Sequence, residues 1–294
     1  MIYDIAHLTT YRYDAPVASA RCTMRLLPRS DGGQNVLFSR IELTPPAEIF
    51  RERVDFNGNR ICEAQILTPH TKLRIGLHAR VAVERAPPPA PVLTPAWESV
   101  RSAIQATNTL AAGSPVHCVY PSRFAPLLDA ATDYAQQSFS TGRPVLEGAA
   151  ELMRRIHADF VYDPEATRIS TPIAQAFERR RGVCQDFAHI MIAGLRGLGL
   201  AAAYVSGYLR TIPAPGQARL EGADSTHAWV SVWCGPEFGW FDIDPTNDLL
   251  VGNDHVVIAI GRDYADVSPI DGVILAAGGQ DLDVSVDVKE VTGG

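Results

Sequence analysis

The chain has 294 residues, 46% of them hydrophobic, enough to bury one large core or two ordinary ones. Its 33 acidic against 26 basic side chains leave a net charge of -7, which argues against a sequence-independent grip on nucleic acid or an anionic membrane and leaves proteins, peptides or small molecules as partners. No secretory signal and no bilayer-length apolar run is visible, so the expected location is the cytoplasm, where five scattered cysteines stay reduced and form neither a disulfide framework nor a CxxC metal pair.

From Tyr3 to about Glu84, short apolar or alternating runs are broken by turn signals at Asp31-Gly32-Gly33, Thr44-Pro45-Pro46 and Asn57-Gly58-Asn59, the pattern of antiparallel β structure. Between Lys72 and Glu84, Leu73, Ile75, Leu77, Ala79, Val81 and Val83 recur at every second position, the period of a strand with one buried face. The proline-rich run from Ala86 to Pro91 can neither pair in a sheet nor continue a helix, so residues 1–86 are expected to form a β-rich domain, 87–96 a stiff linker and 97–294 a second domain.

Helical periodicity follows near Ala96–Thr107, Pro126–Phe139 and Leu146–Phe160, and Pro172 suits the first turn of a short helix over Ile173–Arg180 that Gly182 is placed to end. A new apolar helix is expected to begin at Cys184. Strand character returns in Ala203–Leu209, Ala228–Trp233, Trp240–Ile243, His255–Ile260 and Leu282–Val288, with a Pro/Gly-rich loop over Pro213–Gly222. The fold class is therefore α+β.

Three segments carry chemistry. In GVCQDFAH, Cys184 stands at the first turn of its helix, where exposed backbone N–H groups and the helix dipole favour a thiolate and can hold a developing oxyanion. Arg179, Arg180 and Arg181 can add to that field. In STHAWVSVW, His227 stands at the entrance of an alternating strand, and in GWFDIDPTN, Asp244 precedes a proline turn, with Asp242 on the same face by the period of two. A Cys, His, Asp order suits acyl transfer: thiolate attacks carbonyl, imidazolium protonates the leaving amine, carboxylate orients the ring. A zinc site using Asp186, His189, His227 and Cys234 is the rival reading, but none of these segments contains a tight C-x₂₋₄-C or H-x₃₋₅-H pair. Asp186 reads instead as a first-turn cap or charge and His189 as a structural hydrogen-bonding residue.

The blocks GVCQDFAH, STHAWVSVW and GWFDIDPTND closely resemble the three catalytic blocks of the transglutaminase-like superfamily, over roughly residues 150–247. RYDAPV, RLLPR and FNGNR resemble the β-rich N-terminal domain of bacterial proteins of this kind, and GRDYADVSPIDG fits the same group. The resemblance implies a papain-like α+β core, a helix-borne cysteine packed on an antiparallel sheet, with Cys184 as nucleophile, His227 as general base and acid, and Asp244 as orienting group. It implies cleavage of an amide or peptide bond in a protein or peptide substrate through a thioester, with protein-glutamine crosslinking or a non-catalytic binding module as alternatives, and no metal or cofactor. No D-x-D-x-D-G loop is present for a calcium gate. Candidate substrate or oxyanion residues are Gln185, Tyr162, which resembles an aromatic block ahead of the catalytic segment, and Trp229. The competing uses are a first-turn polar residue for Gln185 and core packing for the two aromatics. The oligomeric state is left open.

Overall fold

The alternation from Lys72 to Glu84 becomes all but the first two residues of β6 (His70–Val83), whose buried side chains include Leu73, Ile75, Leu77, Val81 and Val83, in a computed structural model that describes residues 1–211, 225–275 and 278–291. β6 pairs antiparallel with β1 (Ile2–Val17) on one side and β3 (Gln34–Thr44) on the other. A second sheet contains β2 (Ser19–Met24), β4 (Ile49–Val54) and β5 (Arg60–Ile66), in which β5 lies between the other two. Buried residues of both sheets, among them Ile5, Ile75, Met24 and Ile66, join one core.

The linker after β6 is anchored rather than free. Pro91–Leu93 forms a single 3-10 turn, and Thr94, which is buried, donates its hydroxyl to the Pro91 carbonyl and accepts from the Leu146 amide. The helices follow as α1 (Trp97–Gln105), α2 (Asp129–Gln136), α3 (Val145–Asp159), α4 (Ile173–Arg179) and α5 (Cys184–Gly197). Two short strands, β7 (Val161–Tyr162) and β8 (Arg181–Gly182), pair in parallel immediately before α5. α4 ends earlier than Gly182: Arg180 takes the left-handed conformation, φ 53°, and lays its guanidinium over the rings of Tyr134, Phe160 and Phe177, which offsets the strain of that backbone position.

α5 is central. Every side chain from Phe187 to Leu195 that bears apolar atoms is buried, with α2, α3 and α4 on one side and the sheet strands on the other. The close seating of α5 on α2 depends on small residues. A Cβ at Gly197 would stand 1.9 Å from the Thr132 hydroxyl, and one at Gly194 would stand 2.9 Å from the Ala135 Cβ.

The sheet beneath α5 has the order β12-β11-β10-β9-β13, with β9 (Ala202–Leu209), β10 (Ser225–Trp233), β11 (Trp240–Asp244), β12 (Leu249–Leu250) and β13 (His255–Gly261) all antiparallel. The expected Pro213–Gly222 loop lies outside the described residues. After the four-residue α6 (Tyr264–Val267), the chain returns to the first two sheets: β14 (Ile270–Leu275) pairs with β2, and β15 (Gln280–Glu290) pairs with β1. The sheets therefore do not part where the sequence suggests. Strands expected within 97–294 complete the ladders of β1 and β2, whose outer backbone groups would otherwise be open edges. Among the described residues no helix is long and apolar enough to cross a membrane.

Candidate active site

Cys184 is the first residue of α5 and is half-buried. The first bond of the helix runs from the Phe187 amide to the Val183 carbonyl, so the N–H groups of Cys184, Gln185 and Asp186 lie ahead of the ladder. Asp186, in the third helical position, accepts from the Val183 amide at 2.9 Å and from the Thr167 hydroxyl at 2.6 Å, which fixes the turn that delivers the sulfur. It therefore acts as a cap. His189, one turn further on, is stacked on Phe124, accepts from the Tyr264 amide, and is held neutral by burial, which pushes its pKa down to about 4. Neither residue points to zinc.

His227 and Asp244 come from neighbouring strands, β10 and β11, and both are buried. His227 Nε2 lies 2.7 Å from Asp244 Oδ2, leaving Nδ1 as the nitrogen free to serve the sulfur. Burial by itself lowers the His227 pKa, but hydrogen bonds and charge from Asp244 and Cys184 outweigh it and the net shift is upward. Burial by itself raises the Asp244 pKa, yet the hydrogen bonds from His227, His255 and Asn247 bring it below the ordinary carboxylate range. Its second oxygen accepts from the Thr246 and Asn247 amides, an Asx turn built by the Asp-Pro-Thr-Asn sequence. A cysteine at a helix start, an imidazole beside it and a buried carboxylate behind the imidazole are thus brought together from three elements.

Residues 3–82 match the bacterial transglutaminase-like N-terminal region, and residues 132–245 match the transglutaminase-like superfamily. A protein of Mycobacterium tuberculosis is 40% identical over 300 residues, covering 99% of this chain and 93% of its own length. The chain belongs to the transglutaminase-like superfamily. A Mycobacterium leprae protein is 30% identical over 290 residues, covering 98% of each chain. In fold, this transglutaminase-like chain also resembles a crystal structure of a candidate cysteine protease from Cytophaga hutchinsonii, with a TM-score of 0.74, 21% identity, and coverage of 100% of this chain and 92% of the other.

Around this transglutaminase-like centre, the other expected residues divide. Gln185 is the second residue of α5 and half-buried, placing its amide beside that of Cys184. Tyr162 is 53% exposed, not packed in a core; it pairs with Gly182 two residues ahead of Cys184, and burial first and then the charge of Cys184 raise its pKa. Trp229 is a correction: it is wholly buried, donates its indole N–H to Asp242 at 3.0 Å, and has no surface to offer a substrate. That bond also accounts for Asp242, which shares the face of Asp244 but is occupied by the indole. Arg180 and Arg181 are committed elsewhere, to the three aromatic rings and to Asp163 at 3.0 Å.

Two residues escaped the sequence reading. Asn247 donates to Asp244 Oδ2 at 2.7 Å and lies 3.2 Å from His227 Nε2; its position three residues after Asp244 in the turn was the available signal. His255, on β13, reaches Asp244 Oδ2 at 3.1 Å, and no sequence spacing announces it. His227, Asp244 and His255 are the one group among the described residues with ligand atoms close enough for a metal, all within 4.8 Å. The 2.7 and 3.1 Å separations are those of N–H donors on a carboxylate, which accounts for the cluster without an ion.

Proposed function

We propose that this chain is a cysteine-dependent acyl-transfer enzyme that hydrolyses an amide or peptide bond in a protein or peptide. The observation that carries the reading is the Asp244-bound His227 ring beside a cysteine at a helix N-terminus. The Cys184 sulfur adds to the carbonyl carbon, and the carbonyl electron pair moves onto oxygen, facing the amides at the start of α5. One such donor contributes about 3 kcal/mol of transition-state stabilisation. The C–N bond breaks as His227 gives its proton to the leaving nitrogen, and a thioester remains. His227 then takes a proton from water, whose oxygen attacks the thioester; the acid departs and the sulfur regains its electron pair.

Water is the favoured acceptor because Cys184 is only half-buried and Tyr162 beside it is largely exposed, leaving the thioester open to solvent. Five free cysteines, four of them buried, suit a reducing compartment, and a cytoplasmic location belongs to this reading.

The test is incubation with a mixed peptide library and a primary-amine tracer, read by mass spectrometry against Cys184→Ala. New peptide termini or glutamine converted to glutamate, without tracer, are expected from the wild type alone. Tracer attached to glutamine would make the protein a crosslinker, and spectra identical to Cys184→Ala would remove amide chemistry from the reading.

A further inference from the structure

Resting on that reading of the site, we infer that His255 is a positioning residue for the triad, and that the N-terminal β domain holds it in place. Asp244 Oδ2 faces two imidazoles: His227 Nε2 at 2.7 Å and His255 Nε2 at 3.1 Å. An ionised carboxylate only accepts, so the His255 proton that matters sits on Nε2 and points at Asp244. The other ring nitrogen, Nδ1, is buried without a hydrogen-bond partner, and the residue as a whole is 1% exposed, its ring edge-on to Trp229 at 5.0 Å between centroids.

That orphan nitrogen separates function from packing. A phenylalanine or leucine would fill the same space and leave no buried polar atom unpaired, so a histidine here is explained by the bond its Nε2 makes and not by its bulk. The bond serves two ends. It keeps a wholly buried carboxylate ionised opposite His227, and it fixes which way the carboxylate faces, so that the His227 ring presents Nδ1 to Cys184.

His255 itself is held by residues of the N-terminal segment. Its main-chain carbonyl accepts from Arg85 Nη1 at 2.7 Å. Two residues along β13, the Val257 amide donates to Gln34 Oε1 and the Val257 carbonyl accepts from Gln34 Nε2, both at 2.8 Å. Gln34 is 4% exposed and so acts as a buried substitute for the next strand of the sheet. The outer edge of β13 is thereby set by side chains from residues 1–86, and the chain of contacts runs from Gln34 and Arg85 through His255 to Asp244 and His227.

The experiment measures the rate of Cys184 alkylation by iodoacetamide at pH 7 in the wild type, His255→Phe and His255→Gln, with melting temperatures alongside. Glutamine keeps an N–H donor near the Nε2 position, whereas phenylalanine keeps only the bulk. Loss of the bond is expected to slow alkylation roughly tenfold or more in His255→Phe, with most of the rate restored in His255→Gln. A folded His255→Phe at the wild-type rate would overturn the inference, as would a His255→Gln as slow as His255→Phe. A wild type whose Cys184 reacts no faster than the four buried cysteines would overturn the underlying reading and the inference with it. Nitrogen-15 spectra of the wild-type histidine rings add a check that needs no variant: the His255 proton is expected on Nε2, and an Nδ1–H tautomer overturns the inference.

Discussion

His227 Nε2 and Asp244 Oδ2 meet at 2.7 Å in a part of the fold where Asp244 has no exposed surface at all. Both members are shifted so as to favour the ion pair, His227 upward and Asp244 downward. The raised histidine contributes stability that is complete below its ordinary pKa and is lost as the pH rises through its folded value. The depressed carboxylate contributes stability present above its ordinary pKa and lost as the pH falls through its own folded value. The pair is thus intact across neutral pH, the range in which an acid and base must work.

Asp244→Asn is expected to lower the rate of any Cys184-dependent reaction by about two to four orders of magnitude, because the amide holds His227 in the wrong tautomer and carries no charge. Asp242→Asn still offers an oxygen to the Trp229 indole and is expected to retain most of the wild-type rate. Comparing the two by iodoacetamide kinetics separates the two carboxylates of the GWFDIDPTN segment; equal losses would place Asp242 in the machinery.

Acid should weaken the fold through two other histidines. Burial pushes His7, which bonds Tyr208 and Thr9, and His189 each down to about 4. The unfolded chain then binds more protons than the native one below its ordinary histidine range, so stability falls as the pH drops from about 6.5 toward 4, by on the order of 3 kcal/mol for each ring. Urea unfolding at stepped pH should show this decline, partly flattened in His7→Gln. A flat profile in the wild type would contradict the buried neutral rings.

Gly207→Ala should damage the site from behind. A Cβ there would stand 2.2 Å from the Trp229 ring and 2.4 Å from the Val256 carbonyl oxygen. Relief of that clash must move an indole that lies against both His227 and His255 or shift β13. A cost of about 1–3 kcal/mol in stability is expected, with a slower Cys184. Thermal melting and alkylation together check it, and an unaltered pair of values would show that the strands open without consequence.

Asn59→Ala tests the seam between the N-terminal sheets and β13. Asn59 accepts from the Ile260 amide at 2.8 Å and donates to the Ile260 carbonyl at 2.9 Å, while Arg29 Nη1 bonds its side-chain oxygen. Its removal leaves groups of β13 unpaired, at a cost of about 2 kcal/mol in denaturant titration. No loss would mean that water replaces the amide without penalty.

The sequence disclosed the triad candidates because each lies in a contiguous block: a glycine turn before Cys184, an alternating strand behind His227, a proline after Asp244. Helix periodicity likewise marked α1, α2 and α3, and the alternation of β6 needed no tertiary information. His255 was illegible because it meets Asp244 only after β13 has docked beside β9, whereas Trp229 takes the core-packing alternative the sequence offered, with Val205, Val251 and Val257 closing over it. The return of β14 and β15 to β2 and β1 was hidden for the same reason: pairing partners far apart in sequence leave no local pattern. RLLPR and FNGNR were visible as motifs, but their use emerged only with Arg29 and Asn59 bonded to each other beside β13.

The most direct test of Cys184 as the proposed nucleophile uses the contrast among the cysteines. Burial raises the thiol pKa of Cys62 and Cys234 to about 12 and of Cys118 to about 11, and moves Cys22 upward as well, whereas Cys184 is half-buried beside His227. Limiting iodoacetamide is added to the wild type and to His227→Ala across pH 5 to 9, and the modified residue is located by mass spectrometry. Cys184 should be labelled first and well below pH 8 in the wild type, with that advantage lost in His227→Ala. Labelling of Cys184 no faster than its four buried counterparts, or at the same rate without His227, would contradict an activated nucleophile.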